Sequence, residues 1–285
     1  MTADATVTIG LLNPGQMGSS IGVAAKASGA RVIWASEERG EATVARAEAD
    51  GLDDVFWVNA VVNQSHVIIS IVPPEFATEV ADEVHSLGFR GTYVDANAIA
   101  PGTSRQIAEM VAKNGGRFVD GSIVGPPARQ SGTTRLYLSG EQAEFAAQFL
   151  RGGDLEVIPI PGDAGAASAL KMAYAAWTKG TSALLADIHA LALVEGVHEP
   201  LMAEWQRSQP ELLARSDRGL AGAAAKAWRF AGEMDEIAST FEADGLPGGF
   251  HRAAAEVYRR LKGFKDDPNA PGGAELAQHL LPPRE

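Results

Sequence analysis

The first half of the chain alternates short apolar runs with longer stretches of helical spacing. The runs are rich in valine and isoleucine and are bounded by glycine, proline or polar residues, which is typical of buried β-strands. In order they read ATVTIGLL, ARVIWAS, SHVIISIVP, GTYVDAN, GRFVDGS, TRLYLSG and LEVIPI. Helical stretches such as residues 18–28 and 104–114 separate several of them. This alternation predicts a mainly parallel, doubly wound α/β sheet of the Rossmann type.

The pattern changes after Gly165, where an alanine- and leucine-rich helical sequence begins and continues almost to the end. Breaks are predicted near Pro200, near Pro210 and at residues 245–248, and residues 266–273 read as a loop before a short tail. We therefore predict two domains, residues 1–163 of α/β type and residues 164–285 all helical. A first helix of some thirty residues cannot bury its apolar sides alone, so we expect a homodimer with interlocked helical domains.

Composition narrows the function classes. The chain has 36 acidic and 24 basic residues and a net charge of −12, which argues against nucleic-acid and anionic-membrane partners. The absence of cysteine excludes disulfides, thiol nucleophiles and thiolate metal sites. The six histidines are scattered, so no metal site is expected. With no signal-peptide pattern and no apolar run long enough to span a bilayer, we expect a cytoplasmic protein that acts on a small molecule.

The strongest motif follows the first predicted strand and opens the first helix. In a dinucleotide-binding turn, glycines let the backbone approach a pyrophosphate, which the N–H groups of the helix N-terminus bind. Gly15 and Gly18 stand at the second and third glycine positions of G-x-G-x-x-G, and Asn13, which tolerates positive φ, stands at the first. The predicted cofactor contacts of this turn are Leu12, Asn13, Pro14, Gly15, Gln16, Met17 and Gly18.

The end of the second strand bears on the choice of cofactor. NAD sites usually place an acidic side chain there, whereas this strand ends in Ala35-Ser36. Ser36 and Arg39 could hold a 2′-phosphate, although Glu37 or Glu38 would repel it. The sequence therefore favours NADP and leaves NAD open.

Four segments, in the expected order, together resemble the β-hydroxyacid dehydrogenase superfamily, which includes 6-phosphogluconate dehydrogenase and the imine reductases. The glycine-rich turn is the first. Residues 94–101 are similar to the family's D-x-S-T-x-x-P stretch beside the nicotinamide, residues 118–126 to its F-x-D-A-P-V-S-G-G substrate segment, and residues 165–171 to the helix with its catalytic lysine. The resemblance implies an NAD(P)-dependent enzyme that transfers hydride at a carbonyl or hydroxyl carbon.

The same resemblance assigns catalytic roles. Lys171 is the implied proton donor, and an apolar helix around it would lower its pKa; the alternative is a lysine that reaches from an alanine-rich helix to solvent. Asn97 is placed beside the nicotinamide or a substrate oxygen, or else is an ordinary loop residue. Tyr174 is an alternative acid.

Substrate and further cofactor contacts follow from the same match. Ser122 and Gly125 are implied substrate contacts, with Val124 beside them, and Val72 and Pro73 stand where the family contacts the cofactor. Trp177, with Tyr174, either lines the pocket or belongs to the core, and its spacing favours the core.

Departures from the family pattern leave the substrate open. Ala175 replaces an asparagine, Val124 and Pro126 replace carboxylate-binding residues, and Met234-Asp235 stands in place of a Lys-Asp pair. The alternatives are an imine reductase and a regulatory protein that binds the dinucleotide without catalysis. His251 either caps the helix that follows it or reaches a neighbouring subunit's site.

Overall fold

Each of the seven predicted apolar runs contains a strand. The computed structural model describes residues 6–281, without the side chains of residues 214, 215, 217 and 218. The strands are β1 (Thr8–Leu12), β2 (Arg31–Trp34), β3 (Asp53–Asp54), β4 (Val67–Ser70), β5 (Thr92–Asp95), β6 (Arg117–Val124), β7 (Thr134–Ser139) and β8 (Leu155–Pro159). Among them β3 is an addition to the prediction, because two exposed aspartates carry no apolar signal.

The strands form one eight-stranded sheet in the order β3-β2-β1-β4-β5-β6-β7-β8. All neighbouring strands are parallel except β6 and β7. The connecting helices are α1 (Gln16–Ala27), α2 (Glu41–Ala49), α3 (Val58–Gln64), α4 (Ala77–Ser86), α5 (Pro101–Lys113) and α6 (Ala143–Ala147). The predicted Rossmann-type α/β architecture is thus confirmed.

Burial explains why the central strands read as continuous apolar runs. Both faces of the sheet are covered, so successive residues of β4 enter different cores. Val67 and Ile69 pack in one cluster with Ile21 of α1, whereas Ile68 packs in the other with Ile107 of α5. A parallel sheet covered on both sides requires apolar residues at every position.

The chain divides into two compact units, residues 1–171 and 172–285. The division falls within a long helix, α7 (Ala166–Val194), a few residues beyond the predicted boundary. The remaining helices are α8 (His198–Ser208), α9 (Pro210–Ala224), α10 (Ala227–Ala243), α11 (Gly249–Arg260) and α12 (Gly273–Gln278). The second unit is therefore all helical, as predicted. Across residues 6–281, none of the helices combines the length and apolarity needed to cross a bilayer.

Two details of the helical unit differ from the prediction. The break expected near Pro200 lies earlier, at residues 195–197, because α8 begins at His198 and takes Pro200 into its first turn. Proline is tolerated there since the N–H it lacks would have no partner within the helix. A further break at residues 225–226 separates α9 from α10. It was not predicted, because neither residue is a glycine or a proline.

Candidate functional site

The turn between β1 and α1 is tightly packed on one side and open on the other. Asn13 adopts a φ of +63°, and its carbonyl accepts the Gly15 N–H at 2.8 Å. A Cβ on Gly18 would lie 2.5 Å from the Asn13 oxygen, so this position requires glycine. A Cβ on Gly15 would meet no atom within 4 Å. The open side at Gly15 is where a pyrophosphate could approach the backbone N–H groups.

The surroundings of this turn suit an anion. No side chain caps α1, so its first N–H groups keep their binding capacity. Arg46 of α2 donates from Nη1 to the Pro14 carbonyl at 3.3 Å. A cavity beside the turn is lined by Gln16, Arg46, Pro127 and Arg129. Leu12 is buried in the core, which leaves only its backbone for the predicted cofactor contact.

The end of β2 carries a carboxylate that the sequence analysis missed. Asp54 of β3 accepts the Ser36 N–H through Oδ1 at 3.2 Å. The Arg39 N–H donates to the Ser36 carbonyl at 3.0 Å, and the Arg39 side chain is exposed. Spacing along the chain gives no signal for Asp54, because it reaches this place through the pairing of β3 with β2.

Asn97 joins the loops that follow β4 and β5. Its Oδ1 accepts the Val72 N–H at 2.6 Å, and its Nδ2 donates to Ser70 Oγ at 3.2 Å. The Asn97 N–H donates to Asp95 Oδ1 at 3.0 Å. The side chain is buried, and these contacts hold it between the two loops. Asn97 therefore fixes Val72 at the carboxyl edge of the sheet, next to the exposed Pro73.

Lys171 lies at the carboxyl end of β6. Its Nζ donates to the Ile123 carbonyl at 2.5 Å, so the side chain turns to the sheet rather than extending to solvent. Ser122 and Val124, which flank Ile123, are buried. Gly125 is exposed with a φ of +124°, and a Cβ there would lie 2.3 Å from the Thr133 carbonyl oxygen. Among Ser122, Val124 and Gly125, Gly125 is thus the one that solvent reaches. The substrate roles of these residues remain predictions.

A second missed residue, Asp120, anchors the start of α7. Its Oδ2 accepts the N–H groups of Gly165 at 3.0 Å and of Ser168 at 2.9 Å, and its Oδ1 accepts the Ser168 hydroxyl at 2.6 Å. Ser139 also donates to it, at 3.3 Å. Asp120 is fully buried, and a carboxylate at a helix N-terminus is stabilised by the helix dipole. This contact fixes α7 one turn before Lys171.

A second buried carboxyl, Asp95, pairs in register with Asp120 on the neighbouring strand. Burial raises the pKa of Asp95 to about 7, and the negative charge of Asp120 contributes in the same direction. Its Oδ2 is buried and has no hydrogen-bond partner among the described residues. Asp95 therefore titrates near neutrality in the folded protein.

The raised pKa of Asp95 predicts a pH-dependent stability. A carboxyl with a pKa of about 7 when folded and 3.8 when unfolded binds more protons in the folded state, so its contribution to stability falls as pH rises from about 4 to 7. Between pH 5 and pH 8 the expected loss is about 3 kcal/mol. Asp95→Asn should remove this loss, measured by urea unfolding at both pH values. An equal pH dependence in the variant would contradict the assignment.

Two predicted residues lie on the exposed side of α7 in the helical unit. Tyr174 and Trp177 are 48% and 70% exposed. The expectation that their spacing places them in the core is therefore wrong, because the buried side of α7 is formed by other residues, such as Met172, Ala175 and Ala183. Ala175, at the position of the family's asparagine, is core.

The remaining candidate residues of the helical unit are buried or paired with another side chain. His251 is the third residue of α11 and is buried beside Phe241, with ring centroids 4.4 Å apart. It makes no capping hydrogen bond, so the capping expectation is wrong; burial lowers the pKa of its imidazole. Met234 is buried, and Asp235 pairs with Arg259. Within the described residues, no group of three or more histidine, aspartate or glutamate side chains is placed to hold a metal ion.

Comparison with known families agrees with this geometry. The model described as the NAD-binding domain of 6-phosphogluconate dehydrogenase matches residues 8–148. A domain of unknown function, DUF1932, matches residues 192–261. The resemblance stated from the sequence is thus confirmed, and the first match contains the glycine-rich turn, Asn97 and the substrate segment.

Individual relatives are distant. An uncharacterised 28.5 kDa protein of Methanothermus fervidus is 29% identical over 141 residues, which is 50% of this chain and only 53% of that protein. The solved structure of the conserved protein MTH1747, of unknown function and described as similar to 3-hydroxyacid dehydrogenases, has a TM-score of 0.72 and 27% identity and covers 90% of this chain and 98% of its own.

Known enzymes share the fold at lower identity. The 3-hydroxyisobutyrate dehydrogenase of Mycobacterium tuberculosis has a TM-score of 0.72 and 14% identity over 98% of this chain and 100% of its own. Four imine reductases have TM-scores of 0.51 to 0.56 at 17% to 18% identity.

Proposed function

We propose that the chain transfers hydride between a nicotinamide dinucleotide and a carbonyl or hydroxyl carbon of a small organic substrate, because residues 8–148 match the NAD-binding domain of 6-phosphogluconate dehydrogenase. One observation carries the proposal. Lys171 Nζ donates a hydrogen bond to the Ile123 carbonyl at the carboxyl edge of the sheet, and the glycine-rich turn lies at the same edge. A proton donor and a dinucleotide site on one edge are what such a reaction requires.

The residues at the carboxyl edge of the sheet have separate roles in this reaction. A bound nicotinamide would supply the hydride. Lys171 delivers a proton to the substrate oxygen during reduction, or takes it during oxidation, while the Ile123 carbonyl orients its Nζ. Asn97 holds the loop after β4 in place through Val72. Gly15 gives the pyrophosphate access to the N–H groups of α1.

The activity is tested by the consumption of NADH and of NADPH with ketoacids, ketones and cyclic imines. We expect turnover with ketoacids or ketones. Turnover confined to imines would favour an imine reductase, and binding of dinucleotide without turnover of any compound would favour a regulatory protein.

The cofactor site gives a separate prediction. Gly15→Ala should weaken dinucleotide binding by at least about tenfold, because the new methyl group occupies the open side of the turn. The melting temperature should stay unchanged, since that methyl group meets no described atom within 4 Å beyond its neighbours in the chain. Calorimetry of NADH and NADPH binding measures the first effect and thermal unfolding the second. Binding equal to wild type would contradict the site.

We also propose that α7 pairs with a second copy of the chain. The large apolar residues exposed on α7 repeat at intervals of three and seven, as in helices that pack on a partner. They are Tyr174, Trp177, Leu184, Leu191 and Val194. A helix face of this kind is stable in water when another apolar face covers it.

Light scattering tests this pairing. Wild type is expected to have the mass of a dimer, and Leu184→Asp with Leu191→Asp the mass of a monomer. Leu246→Asp, at an exposed apolar residue beyond α10, is the matched control and should remain dimeric. A monomeric wild type would refute the proposal.

A further inference from the structure

The carboxyl ends of β2 and β3 carry an acidic side chain in a fixed place. Trp34 of β2 pairs in register with Asp54 of β3. Asp54 Oδ1 accepts two backbone N–H groups, from Ser36 at 3.2 Å and from Phe56 at 2.8 Å. In dinucleotide-binding α/β folds, the end of the second strand meets the adenosine ribose. Asp54 thus brings a carboxylate to this place from the neighbouring strand.

Asp54 also disfavours a 2′-phosphate at this site and favours free ribose hydroxyls. The Ser36 N–H is the kind of donor that a 2′-phosphate would use, and Asp54 already occupies it. Asp54 is exposed, and Glu37 and Glu38 follow Ser36 in the turn after β2. A carboxylate repels a 2′-phosphate because both are negatively charged, whereas it accepts hydrogen bonds from ribose hydroxyls. Arg39 alone within residues 36–41 offers the opposite charge.

Two aromatic rings lie directly after Asp54. Phe56 and Trp57 are each about half exposed and pack edge to face, with centroids 4.5 Å apart. Phe56 has a φ of +67°, which is rare for a bulky residue and is retained where surrounding contacts enforce it. Here its carbonyl accepts the Glu37 N–H at 3.0 Å. The strained backbone therefore links the rings to the turn after β2.

We infer that Asp54, Phe56 and Trp57 form the adenosine half of the cofactor site and select NAD(H) over NADP(H). Asp54 accepts the ribose hydroxyls, and the rings offer apolar and π surface to the adenine. The inference rests on the proposed function. It reverses the preference for NADP drawn from Ser36 and Arg39, because Asp54 reaches this place only through the pairing of β3 with β2.

Calorimetric titration with NADH, NADPH, 5′-AMP and adenosine 2′,5′-bisphosphate tests the inference without turnover. Wild type should bind NADH and AMP at least about tenfold more tightly than their 2′-phosphorylated counterparts. Asp54→Asn should reduce this ratio to about threefold or less. The matched control is Asp53→Asn, since Asp53 pairs with Arg31 at 2.9 Å and does not contact Ser36.

Removal of an aromatic ring should affect binding differently from Asp54→Asn. Trp57→Ala should weaken NADH and NADPH binding equally, by about tenfold. Trp228→Ala, at another exposed tryptophan, should change neither. Preference for NADPH in wild type, or a ratio unchanged by Asp54→Asn, would overturn the inference while leaving the proposed function standing. Failure of all four compounds to bind would contradict both.

Discussion

Lys171→Ala is expected to lower kcat by about 10²–10⁴-fold, the usual contribution of a positioned proton donor. The Kd for NADH or NADPH should not change, because Lys171 lies at the end of β6, whereas the glycine-rich turn follows β1. Lys171→Arg should be equally impaired, since a guanidinium does not release its proton at neutral pH. Steady-state kinetics and calorimetry measure the two effects.

The control for this prediction is Lys113→Ala, which removes an exposed lysine at the end of α5. It should leave both kcat and Kd at the wild-type values. A Lys171→Ala enzyme with wild-type kcat would show that another group, such as the Tyr174 phenol, supplies the proton.

Asp120→Ala is expected to lower the free energy of unfolding by about 3 kcal/mol, because it removes the acceptor of several buried donors. It should also lower kcat by about a hundredfold, since Lys171 lies one turn beyond Ser168 and a small displacement of a catalytic group is costly. Urea unfolding and kinetics measure the two losses.

Asp163→Ala is the matched control for Asp120. Its side chain is exposed, and its carbonyl, which a substitution retains, accepts the Ser139 hydroxyl at 3.1 Å. This variant should lose less than about 0.5 kcal/mol. If Asp120→Ala unfolds like wild type, the carboxylate does not anchor α7. A loss of stability with kcat unchanged would mean that the anchor does not position Lys171.

The architecture could be predicted because its signals are local. Strands buried on both faces must be apolar at every position, so the seven runs stand out in the sequence. The turn at Gly15 and Gly18 is equally local, since a close backbone approach requires glycine there. The strand β3 gave no such signal, because its two aspartates are exposed and it pairs only with β2.

Site residues could be predicted where one segment of the sequence contains the whole motif. They were missed where the site forms between segments that are far apart along the chain. Lys171 follows from its motif, but its bond to Ile123 joins residues 48 positions apart. Asp120 was visible as an acid within an apolar strand, yet its partners at Gly165 and Ser168 lie on α7. Asp54 reaches Ser36 only through strand pairing. Such contacts are set by tertiary packing, which no spacing rule encodes.

Hydride transfer by this chain can be followed with an isotope label. The enzyme is incubated with NADH or NADPH deuterated at C4 on either face, together with the carbonyl compound found active in the screen, and the product is analysed by mass spectrometry. Wild type should form a product with one deuterium on the former carbonyl carbon, from one face of the nicotinamide only, and Lys171→Ala should not form it. Product without deuterium from either face would contradict it.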